Sequence, residues 1–128
     1  MLRLSGYWLI VTSVLHVLGG FVFFPEPLAA IAQDGWLNAV SPNPFHPNFE
    51  REAAFWFMMA APMWFLLGLL CCWAQVQQIA LPALVGWILL IVTLVSVFIM
   101  PASGLWLLIP PSLMIVAVAA RNPRLTSY

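Results

Sequence analysis

Four apolar runs, Tyr7 to Phe24, Ala53 to Trp73, Ile79 to Met100 and Gly104 to Ala120, contain no Asp, Glu, Lys or Arg between them. Each is near the roughly 20 residues with which an α-helix crosses about 30 Å of hydrocarbon. In that solvent every backbone polar group needs an internal partner, so helices are the only way for such runs to span. The expected fold is all-α: a four-transmembrane-helix antiparallel bundle, with spans at 7–24, 53–73, 79–100 and 104–120 and an outer loop at 25–52. With 128 residues, 64% of them hydrophobic and 6% charged, the chain reads as one integral membrane domain over 1–128, with no room for a soluble catalytic module.

The few charges orient the bundle. Arg3 precedes the first run and Arg121 and Arg124 follow the last, whereas Glu26, Asp34, Glu50 and Glu52 lie between the first two runs beside Arg51. Because the Lys/Arg bias sets topology, both termini are expected in the cytoplasm and the 25–52 loop outside. Arg3, the first run and Ala30-Ile31-Ala32 imitate a secretory signal. That run is longer than the roughly 7 to 15 residues of a signal core, and His16, Ser13 and Gly19-Gly20 suit helix packing better.

Small and polar residues mark the faces expected to meet inside the bundle. Lipid tails are as apolar as leucine, so helices in bilayers associate at small residues and through hydrogen bonds. Ser5, Thr12, His16 and Gly19 form such a stripe in the first run, Ala54, Ala61, Gly68 and Cys72 in the second, and Pro82, Gly86 and Thr93 in the third, with Ser96 beside them. Cys71 and Cys72 point about 100° apart on a helix and read as thiols of a reducing compartment. Pro62 leaves the Met58 carbonyl without its usual donor, predicting a kink. Pro110-Pro111 deprives the carbonyls of Trp106 and Leu107, so the fourth run is expected to break in its outer half.

The outer loop divides in two. Pro27 to Gln33, stopped by Gly35, reads as a short interfacial helix whose apolar side is Leu28, Ile31 and Ala32. Ser41 to Phe49, with Pro42, Pro44 and Pro47, reads as an irregular, Pro-rich cap across the bundle mouth. Trp8, Trp36, Trp56, Trp73 and Trp106 fall near expected membrane boundaries, as an aromatic belt would place them.

Chemistry has few residues to work with. His16 is the only readily ionisable side chain within a run, at the depth of Thr93, Ser112 and the carbonyl freed by Pro62. It serves either as a relay or polar anchor for a ligand, or as a neutral imidazole bonded across the bundle. Glu50-Arg51-Glu52 either cap the second helix or present charge to a ligand head group at the mouth, where His46 could join them. The candidate ligand-binding residues are His16, Glu50, Arg51, Trp56, Thr93 and Ser112. No catalytic residue is assigned, and no metal, cofactor or nucleic acid is called for.

Residue content excludes several mechanisms. Small drug/proton antiporters need an acid within a span, and none is present. Thiol oxidoreductases need Cys-x-x-Cys, and a bis-histidine haem needs two ligands at one depth. No phosphate loop or nucleophile-base pair appears.

His16 with Gly19-Gly20, Arg51-Glu52-Ala53-Ala54-Phe55-Trp56-Phe57, and Pro101-Ala102-Ser103-Gly104-Leu105-Trp106 leading to Pro110 resemble the pattern of a family of short bacterial four-helix membrane proteins of unknown function. The similarity covers nearly the whole chain. It implies a bacterial inner-membrane location and no particular activity. The preferred reading is a protein that holds a small lipophilic molecule or lipid in an outward-opening cavity. The alternatives are an accessory subunit packing against a membrane partner or a second copy, and a membrane enzyme using His16 or Glu50 as acid or base.

Overall fold

The computed structural model describes residues 1–43, 45–79 and 81–121. Among them are five α-helices and no strand: α1 (Leu2–Phe23), α2 (Pro25–Gln33), α3 (Phe49–Val76), α4 (Ala83–Ile99) and α5 (Ile109–Arg121), with a 3-10 helix, Gly104–Leu108, leading into α5. Three stretches, Leu2–Phe23, Phe49–Val76 and Gly104–Arg121, are long and apolar enough to cross a membrane. Ala83–Ile99 is more apolar still but, at 17 residues, shorter.

The helix ends differ from the expected spans for local reasons. Helix α1 starts before Tyr7 because hydrogen bonding, not apolarity, limits a helix; Arg3 folds back so that its Nε donates to the Tyr7 hydroxyl at 2.9 Å. It stops at Phe23 because Phe24 precedes Pro25 and leaves the helical region. Helix α3 takes in Phe49 to Glu52, since Asn48 caps it: the Asn48 Oδ1 accepts the Arg51 N–H at 3.2 Å, and the Asn48 carbonyl accepts the Glu52 N–H at 2.9 Å. Helix α4 is shorter than 79–100 because Pro82 is extended and Met100 precedes Pro101. Arg124, one of the two arginines that orient the C-terminal end in the expected topology, lies outside the described residues, as does Pro44 of the expected cap.

Two helix ends use left-handed residues. After α2, Gly35 at φ +83° lets its N–H reach the Ala32 carbonyl and the Trp36 N–H reach Ile31, closing the helix as the Gly35 stop predicts. After α3 the same pattern is built on Gln78, at φ 57°, with Ile79 bonded back to Ala74.

The chain divides into two compact units, Met1–Thr12 with 64–128, and Ser13–Met63. In the first, Leu2, Leu9, Cys71, Ala74, Leu81, Leu108 and Ile115 form one apolar core. Its helices touch at glycines. A Cβ on Gly68 would stand 2.8 Å from the Gly6 carbonyl oxygen, and one on Gly86 2.9 Å from the Val116 nitrogen of α5, so only hydrogen at these positions allows the approach. The packed face of α1 here is Leu2, Ser5, Gly6, Leu9 and Thr12. Ser5 and Thr12 of the expected stripe are on this face, joined by Gly6, which makes the close approach; in α3, Ala54, Ala61 and Gly68 are buried as expected, and Cys71 is buried more deeply than Cys72.

The double proline shapes the end of this unit. The Trp106 carbonyl loses its α-helical donor to Pro110 and takes the Ile109 N–H instead, which makes the segment 3-10. Leu107 loses both local donors, Pro110 and Pro111, and its carbonyl accepts the indole N–H of Trp8 at 2.7 Å. Leu108 receives the Ser112 hydroxyl at 2.5 Å, and the Pro111 carbonyl that of Ser5 at 3.1 Å. Trp8 is therefore a backbone substitute. The expected break is a change of helix type; with 3-10 and α rises of about 2.0 and 1.5 Å, Gly104–Arg121 still extends roughly 30 Å.

Candidate functional site

The second unit holds the end of α1, all of α2, the following loop and the first half of α3. Its charged clasp is Arg51, whose Nη1 donates to Asp34 at 2.6 Å and to the Ala39 carbonyl at 2.7 Å. One cation thus fastens the residues after α2 to the first turn of α3. Ala39 is buried beneath this strap, while Trp36 and Leu37 stand exposed beside it. Trp36 adopts φ 67°, a left-handed conformation that a bulky side chain rarely takes and that the surrounding turn imposes.

Next to the clasp is an open hollow of about 530 Å³ lined by Phe23, Phe24, Pro25, Glu26, Pro27, Phe49, Glu50 and Ala53, of which only Phe24 and Pro27 are half-buried and the rest are exposed. Prolines and helix starts explain its shape. Pro25 turns the chain at the end of α1, and Glu26 and Glu50 occupy the first turns of α2 and α3, where the positive end of each helix dipole favours a carboxylate.

Behind the phenylalanine wall lies His16. Its Nε2 donates to the Phe57 carbonyl at 2.8 Å, since a carbonyl can only accept, and its ring stacks on Phe57 with centroids 3.8 Å apart. Phe57 in turn meets Phe24 at 5.2 Å and Phe23 edge-on at 6.3 Å. One turn away, the buried Ser13 hydroxyl donates to the Ala61 carbonyl at 2.8 Å. The histidine is held by the carbonyl before the one that Pro62 frees, and α3 is helical through Pro62.

The expected ligand residues therefore fall into distinct settings. Glu50 is in the cavity wall, Arg51 is in the clasp, and His16 is behind the wall. Trp56 is exposed and packs edge-on against Phe55. His46 is an exposed loop residue whose N–H bonds to the Asn43 carbonyl. Thr93 and Ser112 belong to the first unit. Ser112 is tied to Leu108, while the buried Thr93 hydroxyl has no hydrogen-bond partner among the described residues.

Of the wall residues only Glu50 was among the expected ligand residues; Phe23, Phe24, Pro25, Glu26, Pro27, Phe49 and Ala53 were not. Their signal was present as aromatic residues flanking an acid at two helix starts, Phe23-Phe24-Pro25-Glu26 and Phe49-Glu50. Among the described residues no group of three His, Cys, Asp or Glu could hold a metal ion.

These features define a small all-α protein with helices suited to a membrane and an aromatic, acid-lined cavity at two helix starts. The chain belongs to the family of unknown function DUF6463, which its residues 1–122 match. Comparison with curated proteins and with solved structures gave no match.

Proposed function

We propose that this protein resides in a bacterial inner membrane as an antiparallel four-helix bundle with cytoplasmic termini, and that it binds a small lipophilic molecule between the starts of α2 and α3. The observation that carries the binding reading is the cavity of about 530 Å³. Ligand pockets of about 300–1,000 Å³ with mainly apolar walls and a few convergent polar groups are the usual setting for such binding. Six of its eight wall residues are Phe, Pro or Ala, and the other two are carboxylates.

The remaining candidates act at one remove. His16 holds Phe57, and through it Phe23 and Phe24, so it shapes the wall without meeting the ligand. Arg51 keeps the loop after α2 closed against α3. Helix α2, with Ile31 buried and Trp36 and Leu37 exposed after it, suits a position at the outer membrane interface.

Native mass spectrometry of protein purified in a maltoside detergent tests this. A lipophile should copurify, and Ala53→Trp, which fills the cavity, should expel it. His16→Leu should weaken retention several-fold while the protein still assembles. A lipophile retained equally by Ala53→Trp, or none in the native protein, would refute the reading.

A further inference from the structure

We infer that the turn after α2, Gly35 to Asn38, is a lipid-docking element that Arg51 holds in the membrane-water interface. The inference rests on the membrane reading above and adds which residues meet the lipid and what keeps them there. Trp36 and Leu37 are 67% and 91% exposed, so the fold buries little of either side chain. The backbone presents them under strain. Gly35, Trp36 and Asn38 have φ of 83°, 67° and 56°, and a left-handed tryptophan persists only where its surroundings over-determine it. In water such a turn is unfavourable twice, through its backbone and through the apolar surface it holds out. Against lipid that surface is buried, and an indole, an apolar ring with one donor, suits the headgroup boundary.

Arg51 fixes the level of the turn and cancels its charge. Its Nη1 donates to Asp34 at 2.6 Å and to the Ala39 carbonyl at 2.7 Å, so both ends of the turn are pinned to the first turn of α3. Glu50 and Glu52 lie in that same turn, and the charge-free run begins at Ala53. Charged side chains avoid hydrocarbon, so the first turn of α3 marks the boundary with water, and the clasp brings Trp36 and Leu37 to it. Asp34 is the one Asp, Glu, Lys or Arg between Glu26 and Glu50, and its pairing with Arg51 leaves the turn without net charge. Ala39, 3% exposed, seats the far end in the protein.

Spin labels on the full chain in phosphatidylcholine vesicles test this, with Cys72→Ala as the parent and the wholly buried Cys71 kept. A label on Leu37→Cys should meet dissolved oxygen more readily than a water-soluble nickel chelate. So should a label on Ile91→Cys, which is exposed midway along α4. Arg51→Met should raise the nickel accessibility of the Leu37 label about twofold and sharpen its spectrum, leaving the Ile91 label unchanged. Asp34→Asn, which keeps the bond to Ala39, should shift the Leu37 label the same way by less, and it decides alone if Arg51→Met also disturbs the Ile91 label. A Leu37 label open to nickel beside a shielded Ile91 label overturns the docking turn and leaves the membrane reading standing. Both labels open to nickel overturn the membrane reading itself. A shielded Leu37 label that neither substitution moves overturns the positioning role of Arg51.

Discussion

Removing the indole N–H of Trp8 should expose how the double proline is tolerated. The Leu107 carbonyl has lost its donors three and four residues on, because these are Pro110 and Pro111, and Trp8 Nε1 supplies the replacement at 2.7 Å. Trp8→Phe keeps most of the ring and deletes the donor. Leaving a buried acceptor unpaired costs about 1–3 kcal/mol in proteins generally. Measured hydrogen bonds between membrane helices cluster lower, averaging about 0.6 and reaching about 1.7 kcal/mol.

Trp8 is 37% and Leu107 39% exposed, so the carbonyl is not wholly enclosed and the lower figure applies. A loss of about 1 kcal/mol is expected. Pro111→Ala supplies the internal control, because its new N–H lies four residues beyond Leu107 and can take over the carbonyl. In that background Trp8→Phe should cost only a few tenths of a kcal/mol, a coupling of about 1 kcal/mol in the double-mutant cycle. Reversible unfolding in bicelles, monitored for all four variants, measures it. Additive effects of the two substitutions would falsify the view that the indole stands in for a missing backbone donor.

Three further outcomes follow from the packing. Gly68→Ala puts a methyl 2.8 Å from the Gly6 carbonyl and from Ile10, and should destabilise by about 1–3 kcal/mol, whereas Gly104→Ala, with nothing within 4 Å, should be near neutral in the same unfolding assay. Thr93→Val removes a buried hydroxyl that has no partner among the described residues, and should raise stability by about 1 kcal/mol; a loss instead would mean the hydroxyl is in use. Arg51→Met releases the clasp on Asp34 and Ala39, so hydrogen exchange at residues 36–40 should accelerate while exchange in α5 stays unchanged.

The legible parts of this protein were those with a local cause. The prolines at 25, 82 and 101 ended or delayed helices where a residue before proline must leave the helical region, and Gly35 closed α2. Pro110-Pro111 announced a defect in the last span, and the Glu-Arg-Glu run marked the start of α3. Illegible were the partners. Asp34 and Arg51 are 17 residues apart, with nothing in either to select the other, and Trp8 and Leu107 are 99 apart. Trp8 reads equally well as a belt residue, because an indole suits a membrane boundary whether or not its N–H meets a carbonyl.

The site divides in the same way. That His16 would need a polar partner was dictated by its place in an apolar run, since an imidazole in hydrocarbon cannot stay unbonded. That the partner is the Phe57 carbonyl, with the ring stacked on Phe57, depended on how α1 and α3 meet. Sequence alone determined the helical class, the helices long and apolar enough to cross a membrane, and the points where the backbone would lack donors, because those follow from apolar length and from proline's missing N–H. Only tertiary structure decided which side chain fills each gap, that Arg51 closes a loop, and that Glu26 and Glu50 share one cavity, because those depend on distances between residues that no periodicity links.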